Sequence, residues 1–228
     1  EPNCGQSWMH NTLSFGEPHK CNWSRGEVTA SAFTGLADWV RGECQVTSLQ
    51  RQPETPDESP KMWQDLPPIE EGKHRIAWRR ELMMVKGADY LVVRDDLTDP
   101  DGANPAEWSL HMLADDVATD REASRARLRG KWGMDLEVVF ADPLRPAMAT
   151  GVWGHDGGER ILTWASEIPL TPMAERQIHV RVKQPPSGDF LAMLFPYHRA
   201  KGEASPAIHA MAGGIGFVAE YGGVTDWV

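Results

Sequence analysis

At 228 residues and 25.4 kDa the chain can build one large domain with a continuous core, or two small ones. A formal net charge of -10 makes it a poor general nucleic-acid binder, although a local basic groove for an anionic ligand remains compatible with it. Its longest apolar stretch, residues 190–195, is far too short to cross a bilayer as a helix, so no membrane partner is expected.

In chain order, the first feature is Trp8-Met9-His10-Asn11-Thr12-Leu13, a strand-like run close to the first residue, with neither an initiator Met nor a leader-like segment before it. This start, and a finish at Asp226-Trp227-Val228 in what reads as a beginning strand, lead to the expectation of truncation at both ends. Cys4, Cys21 and Cys44 form no C-x-x-C pair, and an odd number leaves at least one thiol unpaired in a monomer; the sequence does not choose a bridge. Residues 50–72 are rich in Pro and acid and read as a long exposed loop inside a single domain spanning residues 1–228.

The strongest pattern is a hairpin over residues 75–96. Ile76, Trp78, Arg80, Leu82 and Met84 fall on one parity, mostly apolar, which predicts a strand with that face buried. Lys86-Gly87-Ala88-Asp89 supplies a turn, and Tyr90-Leu91-Val92-Val93 is apolar on both parities, as expected of a strand covered on two sides. Further along, Leu136, Val138 and Phe140 alternate with Asp135 and Glu137, and Ile178, Val180 and Val182 alternate with His179, Arg181 and Lys183. Residues 161–165, 190–195 and 215–219 read as additional strands. Turn clusters such as Asp99-Pro100-Asp101-Gly102 and Gly213-Gly214 separate these runs, and no segment sustains helical spacing. The fold class expected is therefore all-β, an antiparallel β-sandwich.

Several side chains suit chemistry. His111 lies on a Trp-rich strand and is read either as a contact for a substrate carboxylate or as a half-buried strand histidine. Arg125, Arg127, Arg129 and Lys131 share one parity, with Ala126, Leu128 and Trp132 on the other. As a strand this is a cationic row able to grip carboxylate or sulfate, or edge protection against aggregation; as a helix it is scattered. Cys4, His10, His19 and Cys21 match no zinc module. Trp8, Trp23, Trp39 and Trp63 suit either sugar stacking or core packing, and Tyr197-His198 sits at a strand end without a supporting catalytic partner.

Four stretches taken together resemble the β-sheet domain of the heparinase II/III-like polysaccharide lyases. They are His10-Asn11-Thr12-Leu13 followed by Gly26-Glu27-Val28-Thr29, the run His74-Arg75-Ile76-Ala77-Trp78-Arg79-Arg80-Glu81-Leu82 leading to Tyr90-Leu91-Val92-Val93-Arg94-Asp95, Glu107-Trp108-Ser109-Leu110-His111, and Gly188-Asp189-Phe190-Leu191-Ala192-Met193-Leu194-Phe195-Pro196. The resemblance implies a supersandwich-like β domain preceded in the parent by an α-helical toroid, with an acidic polysaccharide bound between them and cleaved by β-elimination in a secreted or periplasmic bacterial enzyme. It implies that the catalytic Tyr and His lie outside this chain, so no catalytic residue is assigned here. It also implies that His10 completes a structural zinc site with an upstream His and Asp; a histidine hydrogen-bonded at a strand end is the plainer reading. The competing assignments are a non-catalytic carbohydrate-binding module and a structural β-sandwich that buttresses a neighbouring domain.

Overall fold

The computed structural model describes residues 11–16, 20–22, 26–51, 69–141, 148–153, 177–184 and 188–228. Among them are fifteen strands: β1 (Leu13–Phe15), β2 (Lys20–Asn22), β3 (Gly26–Phe33), β4 (Ala37–Arg51), β5 (Ile69–Val85), β6 (Tyr90–Thr98), β7 (Ala106–Asp120), β8 (Arg125–Gly130), β9 (Met134–Phe140), β10 (Met148–Trp153), β11 (Gln177–Lys183), β12 (Phe190–His198), β13 (Ala207–Ala210), β14 (Phe217–Tyr221) and β15 (Val224–Trp227). The sandwich is all-β and antiparallel throughout its described pairings. Twelve strands form one sheet in the order β1-β2-β4-β5-β6-β12-β9-β8-β7-β11-β10, with β3 on β4. A second contact between β1 and β7 brings the sheet round on itself, and β13, β14 and β15 make a separate small sheet.

This folding-over gives the large sheet an inner face. Leu13, Phe15, Val46, Ile76, Trp108, Leu110, Leu128, Val138, Phe140, Val180, Phe190 and Ala192 meet there in one core. Trp108 and Phe140 pack edge to face at 5.2 Å between ring centroids, an arrangement the ring quadrupoles favour. A second core lies on the outer face of β6, β12 and β9, where Tyr90, Val92, Val139, Met193 and Phe195 are covered by Ile208, Phe217 and Ala219 of the small sheet. Tyr90 stacks on Phe195 at 5.2 Å, and the hydroxyls of Tyr90 and Tyr221 both donate to Asp226 Oδ2.

The hairpin forms as its alternation requires, with β5 and β6 in register from Ala77 opposite Thr98 to Val85 opposite Tyr90. Gly87 at φ +90° and Asp89 at φ +55° close the turn; glycine takes this left-handed backbone at no steric cost, and aspartate tolerates it. Both parities of the run from Tyr90 to Val93 are covered as expected, because the first core lies under one side of the sheet and the second under the other.

The expectation for β5 needs one correction. Ile76 and Trp78 do face the first core, but Leu82 and Met84 on the same parity are 36% and 39% exposed, while Met83 and Val85 pack against the second core. The strand is long enough that its covered side changes along its length. The polar parity of β9 is likewise not a solvent face: Asp135 and Glu137 are buried beneath the C-terminal segment.

Other boundaries move. β4 runs on to Arg51 and β5 begins at Ile69, so the ends of the 50–72 loop are strand, and residues 52–68 lie outside the described residues. The run at 161–165 also lies outside them. The strand expected at 215–219 begins at Phe217, with Ile215 exposed in the turn before it, and the final residues complete a hairpin of β14 with β15.

Candidate functional site

The motif-bearing segments converge where β1 meets β7. Alternation along β7 sends Ala106, Trp108, Leu110 and Met112 to the core, and Glu107, Ser109 and His111 to the outer face. On β11 the same rule buries Ile178, Val180 and Val182 and turns His179, Arg181 and Lys183 outward. Register then sets His111 opposite His179, Ser109 opposite Arg181 and Glu107 opposite Lys183. The next strand, β10, places Gly151 opposite His179.

The result is an enclosed polar face. Glu107 is 6% exposed and Ser109 1%. Arg181 NH1 lies 3.4 Å from Glu107 Oε1, a diagonal ion pair across the two strands. The rings of His111 and His179 are 5.8 Å apart between centroids. Burial, reinforced by the charge of Arg181 and by His111, pushes the His179 imidazole down to about 4, so it is neutral at neutral pH. The Ser109 hydroxyl is buried with no hydrogen-bond partner among the described residues.

Asn11 ties this face to the first motif. Its Oδ1 accepts the backbone N–H of His111 at 2.6 Å, and Thr12 O accepts the N–H of Ser109 at 2.9 Å. The hairpin holds the other side of this segment, because Arg80 donates to Asn11 O at 3.4 Å. Arg80 is itself fixed by a two-point pair with the fully buried Asp95, at 2.7 and 2.9 Å, and Asp95 also accepts from Trp78 Nε1 at 2.7 Å. Arg80 and Asp95 of the hairpin motif thus brace Asn11, which abuts the strand that carries His111.

The cationic row is arranged differently from either reading given to it. β8 is a strand, which removes the helical alternative, and it lies between β7 and β9, which removes edge protection. Arg125 and Arg127 both pair with Glu137, which is fully buried, at 3.2 and 2.8 Å. Arg125 also donates to Ile208 O and Arg127 to Ser205 Oγ, which fastens the C-terminal segment over the sheet. Arg129 is exposed, opposite Asp116, while Lys131 and Trp132 belong to a short 3₁₀ turn in which Trp132 has φ +61° and is 76% exposed. The row is therefore not one continuous cationic face.

His10 lies outside the described residues, as do Cys4, His19, Trp8, Trp23 and Trp63. Among the described residues no group of three or more His, Cys, Asp and Glu is placed to hold a metal ion. Trp39 is half-buried, with the Arg41 guanidinium 5.1 Å from its ring centroid. Tyr197 is buried at the end of β12, and its hydroxyl is raised above the ordinary tyrosine value chiefly by that burial. Sequence reading selected His111 but not His179, Arg181 or Ser109. Alternation of polar residues with Ile178, Val180 and Val182 was the available signal; the register that pairs them with β7 was not.

No family model matches the chain, and no curated protein matches it. Solved structures do. A heparan sulfate lyase HepC mutant from Pedobacter heparinus superposes with a TM-score of 0.59 at 13% identity, covering 98% of this chain and 30% of that one. HepC itself gives 0.57 at 12% identity with the same coverage, and a heparinase III gives 0.54 at 12% identity, covering 98% and 29%. The chain therefore has the fold of part of these lyases and spans about a third of their length.

Proposed function

We propose that this chain is the β-sandwich portion of a polysaccharide lyase that cleaves uronic-acid-containing glycans by β-elimination. The observation that carries the reading is the match of fold across nearly the whole chain to heparan sulfate lyases, combined with the seating of Asn11 of the His10-Asn11-Thr12 motif on His111. The fold alone leaves function open, and the junction of the motifs supplies the local support.

β-Elimination removes a proton beside a sugar carboxylate. That proton is weakly acidic until the carboxylate is neutralised, and the leaving glycosidic oxygen needs a proton in return. In this reading, the catalytic Tyr and the group that neutralises the carboxylate come from an α-helical toroid of the same parent, and a further His comes from the segment just before His10-Asn11-Thr12. The β-sandwich contributes the wall against which the acidic glycan lies, with His111 on that wall. Arg125 and Arg127 are committed to Glu137 and brace the C-terminal sheet, and Arg129 remains as a surface contact for the glycan.

Structural zinc belongs to this reading as a property of the parent, with His10 as the ligand that this sequence supplies. Elemental analysis of the purified parent checks it: one zinc per chain, lost in His10→Ala, is the expected result. Secretion or export to the periplasm also belongs to it, because glycans of this kind are extracellular.

The decisive experiment is ultraviolet detection of unsaturated uronate products on heparan sulfate, other glycosaminoglycans and alginate. Products are expected from the longer parent polypeptide and none from the 228-residue chain alone. Robust elimination by the chain alone overturns the accessory role, and no elimination by the parent on any acidic glycan overturns the lyase assignment.

A further inference from the structure

We propose that Trp132 is a stacking platform for one sugar ring of an acidic glycan, with Lys131 and Lys201 as nearby contacts for the acid groups of that stretch of glycan. The inference rests on the acidic-glycan reading above, and it names residues and a mode of contact that the reading does not.

Three observations carry it. The first is strain without packing. Trp132 has φ +61°, a left-handed backbone that a bulky side chain adopts only at a free-energy cost. In a core, packing of the ring would offset that cost, yet the residue is 76% exposed. A large apolar ring held in water on a strained backbone points to a contact with something outside the sandwich.

The second is the rigid frame beneath it. The Lys131–Gly133 turn joins β8 to β9 and packs on the Arg199–Lys201 turn that follows β12. A Cβ on Gly133 would collide with Ala200 Cβ, and one on Gly130 would collide with Met134 O and the terminal methyl of Met112. The Met134 N–H closes the turn by donating to Lys131 O. Arg199 holds its start, donating to Gly130 O at 3.4 Å while paired with the buried Asp135 at 3.0 Å. Little backbone freedom is therefore lost when a flat ligand settles on the ring.

The third is the charge beside it. Lys131 adjoins Trp132 in the chain, and Lys201 follows Ala200, which abuts Gly133. Neither lysine has an ion pair among the described residues. Of the acids in this region, Asp135 holds Arg199, Glu203 accepts the N–H of His198, and Asp116 stands opposite Arg129 and accepts the N–H of Val117; Asp115 is exposed on β7. A pyranose carries apolar C–H groups on its face and polar groups at its rim. An indole plane takes the face, and an ammonium group takes a carboxylate or sulfate at the rim.

The test is hydroxyl-radical footprinting read by mass spectrometry, with affinities from calorimetry, on the 228-residue chain and on the longer parent. The probes are an unsulfated oligouronate, a heparan sulfate oligosaccharide and a neutral oligosaccharide of the same length. Trp132 is expected to be oxidised readily in the free protein and protected by the acidic probes; protection by the sulfated one alone identifies sulfate as the group required. Trp132→Ala is expected to weaken binding about tenfold or more, and Trp132→Phe, which keeps a smaller plane, about threefold. Lys131→Gln combined with Lys201→Gln should weaken the acidic probes about fivefold, less in high salt, and leave the neutral one unchanged. Trp227→Ala, on the exposed side of the small sheet, is expected to leave binding unchanged. Trp132→Gly separates binding from folding. Glycine takes the left-handed backbone without strain, so this variant should unfold at no lower temperature than wild type while binding is lost.

A fall of more than about 5 °C in Trp132→Gly marks the ring as a packing element and overturns the proposal. Equal affinity for the neutral probe, affinity within twofold of wild type in Trp132→Ala, or no protection by either acidic probe also overturns it. So does protection of Trp132 in the glycan-free parent, or protection that grows with protein concentration, because the ring then meets another part of the parent or a second copy. In the parent, Trp132→Ala is expected to raise KM with kcat little changed. A parent that eliminates normally and keeps its KM in that variant removes the platform and leaves the lyase; protection of Trp132 by acidic probes in a parent that eliminates nothing does the reverse.

Discussion

Two ionic networks lie on the outer face of the large sheet, built from the same residue types and treated very differently. Across β4, β5 and β6, Arg41 pairs with Glu81, and Arg79 and Arg94 both hold Asp96, with Arg41, Arg79 and Arg94 35–51% exposed. Further along the sheet, Arg125 and Arg127 hold Glu137, which has no exposed surface at all. What differs is the cover: the small sheet and the segment before it lie over the second network, and the first is open to water. Charge pairing on a strand face says nothing about energetic weight until it is known what lies above it.

The largest effect is expected at the covered network. Glu137→Ala leaves two arginines in a partly buried site without their carboxylate, and should cost about 3–5 kcal/mol in urea unfolding. Replacing Arg125, Arg127 and Glu137 together by apolar residues of similar size should cost much less, because no buried charge is then left unmatched. If the single and triple variants are equally damaging, the network does more than neutralise itself.

Phe217→Ala should cost about 3–4 kcal/mol, since the ring is fully buried in the second core. It sharpens the comparison through coupling. Combined with Glu137→Ala the losses should be non-additive, because Arg125 binds the small sheet at Ile208 O; combined with Asp96→Asn they should add.

Asp96→Asn on the open network should change stability by no more than about 1 kcal/mol, and the change should fade in high salt. Burial works to raise the Asp96 carboxyl, but hydrogen bonds from Arg94 and Arg79 outweigh it and hold the group below its ordinary 3.8. Its contribution is therefore present above that value and lost as pH falls through the lower folded value. His179 acts in a different window. Its folded value of about 4 lies below the ordinary 6.5, so between these the unfolded chain takes up a proton that the folded chain refuses, and stability declines as pH falls from 6.5 toward 4. An acid titration of thermal unfolding should show His179→Gln flattening the upper window and Asp96→Asn altering only the lower one.

Much of the fold was legible. The hairpin of β5 and β6, the alternation of β11 and the apolar run in β12 follow from period-two spacing, because a strand's neighbours alternate faces whatever the surroundings. The reading failed where burial came from a distant segment. Leu82 and Met84 look like core residues, yet the cover at that end of β5 lies on the other side; Asp135 and Glu137 look like surface residues and are buried. The candidate site was legible at one residue, His111. His111 stood out as a histidine on an apolar strand, but His179 and Ser109 stand out only once register sets β11 against β7.

The sequence by itself determined the local grammar of this protein: strands, turns, and the left-handed backbone at Gly87 that closes the hairpin, all set by side-chain spacing and steric limits within a few residues. The tertiary structure decided which faces are wet. It wrapped one sheet round on itself through β1 and β7, laid a small sheet over Glu137, and brought two histidines 68 positions apart in the chain into one row. Pairing between strands remote in sequence depends on the whole core being assembled, and no local pattern encodes it.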